Sequence, residues 1–256
     1  MNKLAIAALA LSAFAAPAFA ADLAVKAPRV VAPVWSWNGW YGGFNVGGSF
    51  GKASDSVSFA GVPLATAGSQ DLNGVIGGGQ IGYNWQSGTW LFGLEADIQG
   101  SSERNNDPAL ASLLFTPAIL FAPVTGTLGV NEKLDWFGTV RGRLGVLASP
   151  NWLLYATGGL AYGGVQTNET LNFTGVVVGT NSNSFNTTRA GWTAGGGVET
   201  VLGNNWTGKI EYLYIDLGTF SNTWAVPGAG AAFTPVGFSS HVTDNIVRVG
   251  VNYHFH

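Results

Sequence analysis

The sequence predicts an all-β fold, a closed antiparallel eight-stranded transmembrane β-barrel with short periplasmic turns and four long external loops. Three observations lead to this prediction. Apolar and polar residues alternate along eight segments, and the connections between these segments alternate in length. Charged residues are only 10% of the 256 residues, whereas a soluble domain carries about 25%. Such a surface would be poorly solvated by water, which favours lipid around the barrel.

Residues 1–20 have the pattern of a secretory signal peptide. A basic Lys3 precedes an alanine-rich apolar stretch, and Ala18 and Ala20 give the small-x-small ending. Cleavage is therefore predicted between Ala20 and Ala21. No later stretch reaches about 18 uninterrupted apolar residues, so no spanning helix is predicted.

Residues 21–38 are predicted to form a periplasmic lead-in segment. This stretch contains Pro28 and Pro33 and shows no alternation, which is typical of an extended chain. The barrel domain is predicted to cover residues 39–256.

The first three segments of the barrel domain alternate clearly. One parity of each carries bulky apolar side chains, and the other carries amides, hydroxyls and carboxylates. The apolar members are, in chain order, Trp40, Phe44, Val46 and Phe50, then Val75, Ile81, Tyr83 and Trp85, then Trp90, Phe92, Leu94, Ala96 and Ile98.

The later segments complete the set of eight. The fifth, WLLYATGGLAYGG, is apolar on both parities, so its faces stay open at this point. The other four alternate, and their apolar members are Leu134, Trp136, Val140, Leu144 and Val146, then Trp192, Ala194 and Val198, then Trp206, Ile210, Tyr212 and Tyr214, then Val247, Val249, Val251, Tyr253 and Phe255.

The connections fix the predicted orientation in the membrane. The short ones are QSGT, SPN and GNN, and the long ones are residues 51–72, 101–132, 166–188 and 217–242. Outer-membrane barrels have short periplasmic turns and longer external loops. Because both termini lie on the side of the short turns, the first strand leads outward.

The polar faces contain a balanced set of four acidic and four basic residues. In a soluble barrel the charged face would turn to water, but such a surface would carry more charge and less balance. Desolvated ions must be paired, so the balance predicts an interior ionic network of Glu95, Asp97, Arg141, Arg143, Glu199, Lys209, Glu211 and Arg248. Two interpretations remain, a structural plug and the lining of a narrow polar pore. The plug is favoured because side chains can fill an eight-stranded interior.

Tryptophans near the segment ends predict an aromatic girdle at the two membrane interfaces. The predicted girdle consists of Trp40, Trp85, Trp90, Trp136, Trp152, Trp192 and Trp206.

Other functional classes find little support in the sequence. The net charge of −3 has the wrong sign for a nucleic-acid partner, and no cysteine is present. GGSFG at 47–51 matches G-x-S-x-G and GGGQIG at 77–82 matches G-x-G-x-x-G, but neither precedes a helix. A lipid-modifying enzyme would need Ser49 close to His241, which the closure of a barrel could bring about. No catalytic, cofactor-binding or metal-binding residues are predicted.

The stretch 108–124 is unexpectedly apolar for an external loop, and three prolines interrupt it. It could fold over the barrel rim or lie on the outer leaflet. The alternative is that the connection 101–132 contacts a host surface or a sister barrel.

Several ordered stretches carry a family resemblance. They are ADLAVKAP, WNGWYGGFNVGGSFG, GQIGYNWQSGTWLFGLEADIQGS, TVRGRLGVLASPNWLLYATGGLAYG, KIEYLYIDLG and the final VRVGVNYHF. Over nearly all of the mature chain outside the loops, the sequence resembles the outer-membrane immunogenic, porin-family β-barrel proteins of alphaproteobacteria. The resemblance implies a cell-surface barrel of the opacity and OmpA-like type, with structural, immunogenic and host-contact roles.

The resemblance also implies that the final strand, with Tyr253 and Phe255, is the signal read by the barrel-assembly machinery. Such a signal normally ends on the aromatic residue itself, whereas His256 follows Phe255 here.

The sequence therefore predicts one function and leaves a second as the alternative. The first is a non-enzymatic protein of the outer membrane that contacts lipid and lipopolysaccharide, supports the envelope and presents its loops outside. The second is a narrow diffusion channel for small polar solutes.

Overall fold

The computed structural model describes residues 35–59, 62–105, 109–115, 124–174, 179–224 and 236–255. The predicted signal peptide, its cleavage site at Ala20 and Ala21, and His256 lie outside these ranges. In the part of the chain that the structure describes, no helical segment has the length and hydropathy needed to span a bilayer.

The described chain forms nine strands, each antiparallel to its neighbours. They are β1 (Gly39–Phe59), β2 (Val62–Ser87), β3 (Trp90–Asn105), β4 (Ala109–Phe115), β5 (Val124–Ser149), β6 (Trp152–Thr174), β7 (Gly179–Gly203), β8 (Trp206–Trp224) and β9 (Val236–Phe255).

Eight of these strands close into a ring, which confirms the predicted barrel fold. The hydrogen-bonded order runs β3-β2-β1-β9-β8-β7-β6-β5, and a further pairing of β3 with β5 closes it. β4 is an additional strand, which pairs only with the outer part of β5, from Val124 to Val130. Closure satisfies the backbone hydrogen bonds of the ring without a free edge.

Two-residue turns join the strands at the end of the barrel where β1 begins and β9 ends. They occupy residues 88–89, 150–151 and 204–205, at the positions of the predicted short connections. Asn204 and Asn205 both have positive φ, 50° and 67°. Two-residue turns with positive φ at both positions match the twist of the flanking strands, and asparagine tolerates this left-handed conformation.

The long connections consist largely of continued strand. β1 and β2 pair as far as Phe59 and Val62, and β5 and β6 pair as far as Thr125 and Thr174. Hydrogen bonding between the strands continues beyond the point where apolar and polar side chains stop alternating. The eight alternating segments of the sequence are therefore only the membrane-level parts of longer hairpins.

The outer wall is apolar at membrane level, and the interior is polar. Phe44, Ile98 and Leu160 are exposed by 73%, 59% and 68%, whereas Glu199 and Gln99 are fully buried. β6, which was apolar on both parities, directs Leu160 outward. Alternation along each strand therefore separates a lipid-facing surface from a charged interior.

Along β5, the alternation of inward and outward side chains shifts by one residue. β5 has a bulge between Leu134 and Trp136, so Leu134 is buried inside while Trp136 lies on the outer wall. The extra residue of a bulge shifts the alternation, and the sequence grouping of Leu134 with Trp136 was wrong for that reason.

Candidate functional site in the barrel interior

The interior at membrane level contains all eight residues of the predicted ionic network, and the side chain of each is buried. The residues come from five strands of the ring, β3, β5, β7, β8 and β9. They form one connected set of ion pairs, called the inner ionic layer below.

Arg141 is the hub of the inner ionic layer. One of its Nη atoms contacts Glu95, and it lies 2.9 Å from Oδ2 of Asp97. Its other Nη lies 3.2 Å from Oε1 of Glu211, and its Nε donates to Thr139 at 2.9 Å. A guanidinium presents five N–H donors in a planar fork, so a single arginine can serve three carboxylates.

Arg143 connects Glu199 to the inner ionic layer. Its Nη2 donates to Oε2 of Glu199 at 2.7 Å, and its Nη1 donates to the hydroxyl of Tyr41 at 2.7 Å. The guanidinium carbon lies 4.0 Å from the ring centroid of Tyr155. This arginine is therefore held by an ion pair, a hydrogen bond and a cation–π contact.

Lys209 and Arg248 complete the charge balance. Lys209 Nζ lies 3.1 Å from both carboxylate oxygens of Glu95. Arg248 donates from Nε to Oε2 of Glu211 at 2.7 Å and from Nη2 to Oδ2 of Asp97 at 3.0 Å. Each carboxylate of the inner ionic layer therefore contacts at least one cation, as buried charges require.

Sequence reasoning missed the hydroxyls that cross-link the inner ionic layer. Tyr41 donates to Oε2 of Glu95 at 2.8 Å, and Tyr155 donates to Oε1 of Glu211 at 2.9 Å. Tyr41 shares its parity with Asn45 and Ser49, so alternation could have placed it inside. For Tyr155 no such signal existed, because both parities of its segment are apolar.

An aromatic cap covers the periplasmic end of the interior. Trp37 is fully buried with Leu91 and Leu153, its backbone N–H donates to Oε1 of Gln86 at 3.0 Å, and its indole N–H donates to the carbonyl of Pro150 at 3.1 Å. These contacts tie the end of the predicted lead-in segment to the barrel.

The cap continues through Trp35 to the last strand. The rings of Trp35 and Trp37 lie 5.3 and 5.7 Å from the ring of His254, which is fully buried and stacks on Tyr41 at 5.5 Å. Trp35, Trp37 and His254 are called the aromatic cap below. The sequence placed Trp35 and Trp37 in an extended segment and gave no signal for their burial.

The seven tryptophans of the predicted girdle all lie on the outer wall. Their exposed fractions range from 37% for Trp136 to 56% for Trp40. Several contact a tyrosine at the same level: Trp40 lies 5.2 Å from Tyr83, and Trp206 lies 5.3 Å from Tyr253. Amphipathic rings in this position suit the boundary between acyl chains and headgroups.

The comparison with known proteins decides the family. The family model described as "Outer membrane protein beta-barrel domain" matches residues 6–255.

The chain belongs to this outer-membrane barrel family.

Relatives of this outer-membrane barrel include outer-membrane immunogenic proteins. The chain is 38% identical over 249 residues to the 31 kDa outer-membrane immunogenic protein of Brucella melitensis, covering 92% of each chain. It is 31% identical to the 22 kDa outer membrane protein of Rhizobium leguminosarum bv. viciae, covering 75% of this chain and 69% of the relative. The crystal structure of OprG from Pseudomonas aeruginosa superposes with a TM-score of 0.46 at 12% identity, over 86% of this chain and 99% of that one. The predicted family resemblance and outer-membrane location are confirmed.

The interior of this outer-membrane barrel becomes acidic beyond the apolar band. Among the buried residues that the structure describes there, Asp55, Glu103, Glu132 and Asp244 are acidic and Arg189 is basic. Burial raises the pKa of the Glu103 carboxyl, and the charge of Asp244 raises it further. Burial also raises the pKa of Asp244 and of Glu132. The carboxyl groups of Glu103, Glu132 and Asp244 therefore take up protons at a higher pH than free carboxyl groups do.

Ser49 belongs to that acidic region. Its hydroxyl donates to Oδ1 of Asp244 at 2.6 Å. Ser54, rather than Ser49, is the residue of β1 opposite His241, and His241 contacts Thr219 at 3.0 Å. The structure therefore does not bring together the serine and histidine that a lipid-modifying enzyme would need.

The final strand of this outer-membrane barrel presents its aromatic residues outward. Phe255 is 58% exposed and lies opposite Trp40 on β1, and the Tyr253 ring lies 5.2 Å from that of Phe255. The strand that the family resemblance marks as an assembly signal is thus also the strand that pairs with β1 in the ring.

Proposed function

We propose that this outer-membrane barrel is a non-enzymatic structural protein with a sealed interior, which anchors surface-exposed hairpins in the envelope. The observation that carries the proposal is the inner ionic layer, in which eight charges from five strands are buried and paired with one another. A conducting pore of this width would need its charges exposed to water, whereas here the side chains of Arg141 and Glu95 have no accessible surface.

The aromatic cap supports the same proposal. Beneath the cap, Glu199 accepts hydrogen bonds from Thr207 at 2.6 Å and Asn252 at 2.8 Å. An ion crossing the barrel would therefore have to displace a hydrophobic cluster, a hydrogen-bonded layer and an ionic layer in turn.

Conductance measurements test the sealed interior against the channel alternative. Refolded protein inserted into planar bilayers is expected to show no reproducible conductance step, because the charged side chains of the inner ionic layer have no accessible surface. Insertion is verified on the same membranes by protease digestion from each side. A large porin refolded in the same detergent serves as the positive control. A stable unitary step from the wild-type protein would contradict the proposal and support a narrow channel.

We also assign contact with external partners to the connection 101–132. Within it, β4 extends the sheet beyond the ring by pairing with β5 from Val124 to Val130. The apolar residues of 108–124 give this hairpin an unusual composition for a surface segment. Deletion of residues 109–122 is expected to reduce adhesion of cells to host or abiotic surfaces, or to dissociate oligomers in mild detergent. Unchanged adhesion and oligomeric state would remove this assignment.

Assembly is proposed to depend on the outward aromatic residues of β9. Tyr253 and Phe255 lie on the last strand, which pairs with β1 in the ring. The barrel-assembly machinery is the proposed reader of this strand, in keeping with the family resemblance.

A further inference from the structure

A polar groove lies on the outer wall at the external end of the apolar band. It has a volume of about 210 Å³. Its lining includes Asp135, Trp136, Gly164, Gln166, Asn186 and Thr188. The groove lies on the lipid side of the barrel and is separate from the interior described above.

The bulge of β5 shapes this groove. Leu134 and Trp136 oppose consecutive residues of β6, so Asp135 is the extra residue. Asp135 and Trp136 are accordingly both accessible. A Cβ at Gly164 would lie only 2.5 Å from Nε1 of Trp136. The glycine therefore lets the indole approach the strand closely and form one wall of the groove.

Two basic residues lie beside the groove at its external edge. Arg104 on β3 is directly opposite Lys133 on β5, and Lys133 is directly opposite Gln166 on β6. Arg104 and Lys133 are both exposed. Like charges directly opposite on neighbouring strands destabilise a sheet. A bound anion between them would remove this repulsion.

The carboxylate of Asp135 balances only one of the two cations. It contacts Nζ of Lys133, whereas Arg104 forms no ion pair with any residue that the structure describes. The site consequently has a net positive charge of one from these three groups. A phosphate could bind Arg104 directly and share Lys133 with Asp135.

The outer wall around the groove is polar at its external edge and apolar towards the membrane centre, as a lipid is from headgroup to acyl chains. The external row across the strands contains Arg104, Lys133, Gln166 and Asn186, all of which are polar. Towards the membrane centre, Val140 and Leu160 are exposed by 50% and 68%. Polar groups for a headgroup therefore lie directly above apolar surface for acyl chains.

We propose that this groove binds the headgroup of a phosphorylated glycolipid of the outer leaflet. Arg104 and Lys133 donate to a phosphate. The sugar hydroxyls form hydrogen bonds with the amide and hydroxyl groups that line the groove. The apolar face of a sugar ring packs on the Trp136 indole. The amide and hydroxyl partners are Gln166, Asn186 and Thr188.

Lipid titration of the folded protein tests the proposal. The protein in detergent is titrated with bisphosphorylated lipid A, with lipid A lacking both phosphates, and with phosphatidylglycerol, and the bound lipid is counted by native mass spectrometry. We expect the wild-type protein to bind bisphosphorylated lipid A about tenfold more tightly than either other lipid. Only this lipid offers both phosphates for charge-assisted hydrogen bonds and sugar hydroxyls for hydrogen bonds to the groove.

Two double variants separate the contributions. Arg104→Gln with Lys133→Gln is expected to lower the affinity for bisphosphorylated lipid A about tenfold. Gln166→Ala with Asn186→Ala is expected to lower binding of both forms of lipid A and to leave phosphatidylglycerol unchanged. Lys52→Gln is the matched control, because Lys52 is an exposed cation of β1, outside the groove, and its loss should change nothing.

The inference fails if the Arg104/Lys133 variant binds lipid A as tightly as the wild-type protein, or if the three lipids bind equally. Retained glycolipid binding by the Gln166/Asn186 variant would equally overturn it. None of these results bears on conductance, so failure here is distinguishable from failure of the sealed-interior proposal.

Discussion

Replacement of Arg141 by leucine is expected to lower the free energy of unfolding by about 3–5 kcal/mol, the cost of breaking a buried ion pair on one side. The substitution would leave Glu95, Asp97 and Glu211 without their shared cation, while the surrounding strands keep them out of water. Lys209 and Arg248 still contact some of these carboxylates, so we expect a destabilised barrel rather than complete loss of folding.

The measurement is urea unfolding in lipid vesicles, followed by the mobility shift between folded and unfolded protein in unheated gels. Lys52→Leu is the control, since Lys52 is exposed and a surface substitution of this kind changes stability by less than about 0.5 kcal/mol. Arg141→Lys should lie between the two, because an ammonium keeps the charge but loses the planar fork. Equal unfolding midpoints for Arg141→Leu and wild type would show that the inner ionic layer does not stabilise the barrel.

Replacement of Trp37 by alanine is expected to cost about 3–5 kcal/mol, the range for removing a large buried aromatic side chain. Trp37 has no exposed surface, and its loss would leave a cavity against Leu91 and Leu153 and an unpaired carbonyl at Pro150. The periplasmic end should also become accessible, so that residues beneath the aromatic cap react with water-soluble reagents.

Trp40→Ala is the matched comparison for the aromatic cap, because Trp40 lies three positions further along the chain but is 56% exposed on the outer wall. It should lose less than half as much stability, since no cavity forms within the protein. The thiol introduced by Thr207→Cys, under the aromatic cap, should react with a periplasmic thiol reagent only in the Trp37→Ala background. Equal losses of stability for the two tryptophan variants, with no change in thiol reactivity, would show that the aromatic cap does not seal the periplasmic end of the interior.

The Arg141→Leu and Trp37→Ala variants test two different barriers along the barrel interior. The inner ionic layer depends on electrostatic pairing, whereas the aromatic cap depends on packing of apolar surface. High salt should therefore affect neither strongly, because both are buried and screening by ions acts mainly on exposed charges.

Local alternation explains why much of this barrel could be predicted. Side chains of a strand point to opposite sides in turn, so the parity of Glu95 and Arg141 placed them inside without knowledge of their partners. The same rule extended along the strands would have placed Glu103 and Asp244 inside as well. It failed at Leu134, because a bulge adds a residue that local composition does not reveal.

Local sequence patterns could not predict which charged residues form ion pairs inside the barrel. Arg141 meets Glu95 across 46 positions, and Arg248 meets Asp97 across 151 positions. Such contacts depend on the register of every strand between them and on the closing pair of β3 with β5. The burial of Trp37 likewise requires the turn at Pro150 to be in place.

The sequence by itself determined the number of ring strands, the lipid-facing and interior sides of most of them, the short turns and the charge balance of the interior, because all of these follow from side-chain alternation along a single strand. Only the tertiary structure decided which charges pair, how the N-terminal tryptophans cap the barrel, and where the bulge of β5 opens a groove beside Arg104 and Lys133. These features arise between strands, where register and closure, rather than local composition, set the distances.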